Sequence, residues 1–133
     1  MANKNIKSKD KVVKEYMDLL YLTPAAVHTK EIAALLQNCK EISIQLWEEM
    51  NVLELELPSQ NSVDFESLDP SFQDPSDAAF VKSHGINTIY AITICKEDLK
   101  TTIPIFEMIV ENFAGFVCAD REDFAPVYAG SVK

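Results

Sequence analysis

Ile86-Asn87-Thr88-Ile89-Tyr90-Ala91-Ile92-Thr93-Ile94-Cys95 is dense in β-branched and aromatic residues and follows a single glycine, Gly85. Such side chains pack well on a pleated surface and lose rotamer freedom in a helix, so the segment reads as a strand. Immediately after it, Asp98 is placed to cap a helix whose stripe is Leu99, Ile103, Phe106, Val110 and Phe113. Pro104 falls inside that stripe. It lacks a backbone N–H, which predicts a bend or a start delayed to Thr101–Thr102. Gly115 closes the helix and Phe116-Val117-Cys118-Ala119 reads as another strand. The joints have the length expected of strand–helix–strand connections, so 86–119 forms a β-α-β unit, with a right-handed crossover expected.

Upstream, Asp74-Pro75 starts a helix that stops at Gly85, with Asp77 in its first turn and Lys82 and His84 in its last. Val52-Leu53-Glu54-Leu55-Glu56-Leu57 alternates strictly, Pro58-Ser59-Gln60-Asn61 is a turn, and Ser62-Val63-Asp64-Phe65-Glu66 alternates again. That is a hairpin with one buried and one wet face. Residues 41–50 fit two periods. Ile42-Ser43-Ile44-Gln45-Leu46 alternates, yet Ile42, Leu46, Met50 and Leu53 also recur at helical spacing, and Glu48-Glu49 favour helix. We read 41–50 as helix. Val12, Val13, Tyr16, Met17, Leu19 and Leu20 predict an amphipathic helix over 10–22, interrupted at Thr23-Pro24. A second helix is expected over 29–39, capped by Thr29, with Ile32, Leu35, Leu36 and Cys39 on one face. The last residues, from Asp120, form an acidic turn and then an apolar patch, Phe124-Ala125-Pro126-Val127-Tyr128, that docks on the body.

The order α-α-α-β-β-α-β-α-β predicts an α+β fold with a helical N-terminal part. Its hairpin and β-α-β unit would form one sheet of about four strands, with helices on one face. At 133 residues, residues 1–133 make a single domain, of which 1–9 are a polar, Lys-rich tail expected to be disordered.

Charge is strongly segregated. The chain carries 12 basic and 21 acidic side chains, a formal charge of −9. Residues 1–40 hold seven Lys against four acids, whereas 41–81 hold ten acids and no Lys, Arg or His. A one-sign field of this kind either keeps a protein soluble or steers a basic partner onto it. Glu54 and Glu56 share one strand face and Asp64 and Glu66 share a face of the partner strand. These four are the candidate partner-binding residues. Nucleic acid is disfavoured as a ligand, because neutralising phosphate needs Lys and Arg.

The motifs for chemistry are missing. There is no His-Glu-x-x-His, Gly-x-Ser-x-Gly, phosphate loop or dinucleotide fingerprint. Asp64, Glu66 and Asp69, or Asp120, Glu122 and Asp123, offer hard oxygen atoms but neither EF-hand spacing nor a loop glycine, so no metal or other cofactor is expected. Cys39, Cys95 and Cys118 are far apart and lie on apolar stripes, which reads as three buried small hydrophobes. His28 and His84, at helix ends, read as electrostatic trim, and Trp47, the single Trp, as a core anchor. Reduced thiols and an N-terminus without a visible secretory signal favour the cytoplasm. No apolar run approaches the roughly 20 residues of a membrane helix.

Two resemblances follow. The order of elements over 10–66 resembles a winged helix-turn-helix, but the would-be recognition helix carries Glu41, Glu48 and Glu49 with only Lys40 at its start, the wrong charge for tracking phosphates. Asn112-Phe113-Ala114-Gly115-Phe116-Val117-Cys118-Ala119-Asp120, followed by Phe124-Ala125-Pro126-Val127-Tyr128, resembles the tail of small acidic bacterial α+β proteins. Some of these are predicted immunity proteins of polymorphic toxin systems. The resemblance covers the last third of the chain and implies an inhibitor-type role without assigning any residue one. The expectation is a non-enzymatic acidic binding protein, an immunity- or antitoxin-like inhibitor of a basic protein such as a toxin domain. A winged-helix-like regulator and a small enzyme or ligand sensor are the alternatives.

Overall fold

The computed structural model describes residues 14–69 and 75–131. In chain order its elements are β1 (Tyr16–Thr23), α1 (Thr29–Leu36), β2 (Ser43–Trp47), a 3₁₀ turn (Glu48–Met50), β3 (Val52–Glu56) and β4 (Ser62–Leu68). Then come α2 (Pro75–Ser83), β5 (Thr88–Cys95), a 3₁₀ turn (Lys96–Asp98), α3 (Leu99–Phe113), β6 (Phe116–Ala119) and β7 (Val127–Gly130). The strands form one 7-stranded sheet in the order β2-β3-β4-β5-β1-β6-β7. Every pairing is antiparallel. Because β5 and β6 both run against β1, they are parallel to each other and straddle it, a split β-α-β arrangement.

The α+β class therefore stands, but a helical N-terminal part and a sheet of about four strands do not. Within 10–22, residues 10–13 lie outside the described residues and Tyr16 onward is β1. Leu19, Leu20, Tyr21 and Leu22 are all buried, because β1 is covered on both faces. A strand of that kind shows an unbroken apolar run instead of alternation, and such a run satisfies a helical template equally well. The second misread segment, 41–50, is β2 followed by a 3₁₀ turn. Here the alternation of Ile42 to Leu46 was the correct signal. With 16–23 and 43–47 in strands, the winged-helix order is absent. The helix expected over 29–39 is α1, ending at Leu36, and its N-cap is His28 instead of Thr29. Pro104 is accommodated inside α3 without delaying its start at Leu99. The polar tail expected over 1–9 and the Asp74 cap both lie outside the described residues.

Helices also occupy both faces of the sheet. α1 and α3 cover one face, where Ile32, Leu36, Phe106 and Ile109 pack on Leu19, Tyr21, Phe65, Tyr90 and Ile92. On the opposite face a smaller cluster joins Val81 of α2 and Phe124 to Leu20, Leu22, Ile89, Phe116 and Cys118. Phe80 packs against this cluster, stacked between Phe124 (ring centroids 4.2 Å apart) and His84 (4.1 Å). No helix among the described residues is long and apolar enough to cross a membrane.

Two backbone constraints hold the layers in register. Gly115 (φ +87°) lies so close to β1 that an added Cβ would run into the Leu22 carbonyl oxygen and the Thr23 side chain. Asn51 takes the left-handed conformation (φ 56°) that ends the turn between β2 and β3. Its Oδ1 accepts the Thr29 backbone N–H at 2.9 Å and the Thr29 hydroxyl at 2.8 Å. One side chain thus caps the start of α1 and ties it to the β2–β3 turn. Asn51→Gly keeps the backbone conformation and removes the acceptor, so it is expected to cost about 1–2 kcal/mol. Asn51→Ala adds the left-handed penalty of roughly 1 kcal/mol more. Urea denaturation midpoints falling in the order Asn, Gly, Ala would show both terms; a neutral glycine variant would show that the bonds to Oδ1, which include a longer one from the Tyr90 hydroxyl (3.3 Å), contribute nothing net.

Candidate functional site

The alternation of β3 and β4 sends Leu53, Leu55, Val63 and Phe65 into the main core and leaves their neighbours on the other face. Glu54 stands directly opposite Asp64, Glu66 opposite Val52, and Glu56 between Ser43 and Ser62. All four candidate residues therefore share the sheet face turned away from α1 and α3. Glu56 and Glu66 are exposed, and Glu54 and Asp64 are half-buried.

The register extends this patch beyond the hairpin. Thr93 of β5 is flanked by Asp64 on one side and by Asp18 of β1 on the other. The backbone N–H of Asp120 donates to the Asp18 carbonyl oxygen at 3.1 Å, continuing the row onto the segment after β6. Glu54, Asp64, Asp18 and Asp120 thus cross the sheet in one line. Strands lie about 4.8 Å apart, so Glu54 and Asp64 repel at short range, whereas Thr93 separates Asp64 from Asp18 by two strand spacings. The two ion pairs among the described residues, Lys30–Glu48 at 3.5 Å and Lys96–Glu15 at 3.8 Å, involve none of them. Asp64 Oδ1 is buried without a hydrogen-bond partner. The Asp120 carboxyl is pushed above the ordinary range, first by desolvation and then by the charges of Asp18 and Asp77.

An aromatic edge borders the acids. Trp47 on the edge strand β2 lies opposite Val52, on the acidic side of the sheet, and is 42% exposed. Met50, in the following turn, is 67% exposed. The expected core role for Trp47 is thereby corrected: it lies on an edge strand, and its indole is left open among the described residues. Asp18, Asp120 and Trp47 are the members of this surface that spacing alone did not find. Asp18 sits in the misread N-terminal strand, and Asp120 arrives through pairing between segments a hundred residues apart in sequence.

The remaining candidates are structural. His84 stacks on Phe80, and its Nδ1 lies 3.0 Å from the Phe80 carbonyl oxygen. At α1, the His28 backbone N–H donates to the Glu31 carboxylate at 2.8 Å. Neither acidic run weighed for metal binding gathers into a ligand group among the described residues. The one group that does is Cys95, Glu97 and Asp98, with donor atoms within 4.8 Å of one another. There the Asn61 amide already donates to Glu97 Oε2 at 3.0 Å and to Asp98 Oδ2 at 2.8 Å, standing where a cation would. Cys95 and Cys118 are buried, but Cys39 is only half-buried, so three equivalent core thiols are not found. Burial, and then Asp120 and Asp123, push the Cys118 thiol up to about 12.

No protein-family model, curated protein or solved structure matches the chain.

Two measurements check this description. Asp120→Asn removes a carboxylate whose folded pKa is raised. Between its ordinary value near 3.9 and the raised one, the folded state holds a proton that the unfolded state has lost, so stability falls as pH rises through that window. The variant is expected to melt higher than the parent near neutral pH. The difference should close below the ordinary carboxylate pKa, and it should be small because the side chain is exposed. In thiol labelling of the native protein, Cys39 is expected to react first, with Cys95 and Cys118 following only on denaturation.

Proposed function

We propose that the protein is a non-enzymatic acidic binding protein that docks a basic protein partner on the open half of its sheet, in the manner of an immunity- or antitoxin-like inhibitor. The observation that carries this reading is the row Glu54–Asp64–Asp18–Asp120, held in register without a neutralising ion pair among the described residues. Like charges set opposite each other destabilise a free sheet. Lys or Arg side chains from a partner would relieve that repulsion. The exposed Trp47 and Met50 beside the row supply the apolar component that an interface centre uses, and Trp also accepts a guanidinium on its ring face. The resemblance of 112–120 and 124–128 to small acidic bacterial α+β proteins, some of them predicted immunity proteins, supports the same reading. Nucleic acid fits this face poorly, since phosphates would meet carboxylates.

Charge and aromatic contacts act on different rate constants, which makes the reading testable. Co-expression with the basic product of the adjacent gene, followed by stopped-flow association over a salt series, is the assay. Glu54→Gln, Glu56→Gln, Asp64→Asn and Glu66→Gln together are expected to lower the association rate by roughly tenfold or more at low salt and to flatten its salt dependence. Trp47→Ala is expected chiefly to raise the dissociation rate. The free quadruple variant should be as stable as the parent or more so. Salt-independent binding untouched by the four neutralisations would reject the acidic face as the docking surface.

A further inference from the structure

On the opposite, helix-covered side of the sheet lies a groove of about 590 Å³, walled by the joint between α1 and β2, the β3–β4 turn and α3. Ile42, Leu57, Pro104, Ile105 and Met108 make its walls apolar. Three carboxylates, Glu41, Glu97 and Asp98, also line it, and among the described residues no Lys, Arg or His does. Cys39 stands on its lining as well. A concave apolar site of this size with a few polar groups of one sign has the form of a small-molecule site.

We propose that this groove binds a small amphipathic cation: an amine or guanidine carried on an apolar body. The acidic end is built. Asp98 is 5% exposed and Asn61 is 5% exposed. Asn61 is fixed from both sides, its Nδ2 donating to Glu97 Oε2 (3.0 Å) and Asp98 Oδ2 (2.8 Å) and its Oδ1 accepting from Lys14 Nζ (2.6 Å). Lys14 therefore reaches this corner without forming an ion pair with either carboxylate. Each carboxylate accepts about four hydrogen bonds, so the Asn61 amide leaves both with capacity for a further donor. The start of α3 contributes about half a positive charge and Lys14 a full one beside Asn61, which three carboxylates still outweigh, so an anion is disfavoured. A bare metal ion is disfavoured too, because it would have to displace the Asn61 amide. The site is separate from the acidic sheet face and stands or falls without it.

Three probes with one apolar body and different charge decide the matter: 1-naphthylmethylamine, 1-naphthylmethanol and 1-naphthoate, each titrated into the full chain by calorimetry. A second readout is alkylation of Cys39, which lines the groove and is half-buried. The amine is expected to bind and to slow Cys39 alkylation, the alcohol to bind about ten- to a hundredfold more weakly, and the acid not to bind. Glu41→Gln with Glu97→Gln, both at exposed positions, removes two of the three carboxylates and is expected to weaken the amine by about tenfold or more while changing the alcohol far less. Equal binding of all three probes, amine binding insensitive to the double substitution, binding that leaves Cys39 alkylation unchanged, or no amine binding at millimolar concentration would each overturn the proposal.

Discussion

β1 is hydrogen-bonded along both of its edges, to β5 from Tyr16↔Cys95 to Thr23↔Thr88 and to β6 from Leu19↔Ala119 to Leu22↔Phe116. Nothing else in the sheet joins its two halves. Remove β1, and β2-β3-β4-β5 and β6-β7 share no backbone bond. The close approach of Gly115 to Leu22 and Thr23, the bond from the Tyr21 hydroxyl to the Ala114 carbonyl oxygen (2.7 Å) and that from the Thr23 hydroxyl to the Phe113 carbonyl oxygen (2.7 Å) all fasten the end of α3 to this strand. The first strand, set inside the sheet between β5 and β6, pairs late in the sequence on both sides, so its position is a non-local property of the chain.

That explains what could and could not be read from residues alone. The hairpin 52–66 was legible because one face is wet, and alternation then records burial residue by residue. β5 was legible through its β-branched density, α3 through its stripe and its closing glycine. β1 was not, since a strand buried on both faces offers no alternation, and Val12 to Leu20 happens to satisfy helical spacing. β2 was half legible: its alternation competed with a helical reading of similar strength, and Glu48-Glu49, good helix formers, form only a 3₁₀ turn between paired strands. Tertiary pairing outweighed local propensity in both places.

The candidate surface divides along the same line. Glu54, Glu56, Asp64 and Glu66 come together through a local turn, and local pairing is what a sequence displays. Asp18 and Asp120 join them only because β1 lies beside β5 and β6, which no spacing rule reports. Trp47 was assigned to the core on residue type, whereas its exposure follows from β2 being the last strand of the sheet. The apolar groove with its acidic end is likewise assembled from three separate segments and has no linear signature.

The two faces of the sheet are finished differently, and the difference bears on why the acids are where they are. The face under α1 and α3 carries the large core. The other face is covered by α2 and Phe124 over Leu20, Leu22, Ile89 and Phe116, and among the described residues no helix covers it over β3 and β4. A solvated strand face needs polar residues, but it does not need one sign of charge. Mixed Lys and Glu would solubilise it equally well and would add cross-strand attraction instead of repulsion. Setting Glu54 against Asp64, and Asp18 beyond Thr93, gives up stability that ordinary surface chemistry would have supplied. Local conflicts of this kind, in which a fold retains an arrangement its own stability does not favour, concentrate where a surface is shaped for something outside the chain. The fold beneath this face calls for polar side chains and leaves the sign of their charge open, and it is that choice of sign which the docking proposal addresses.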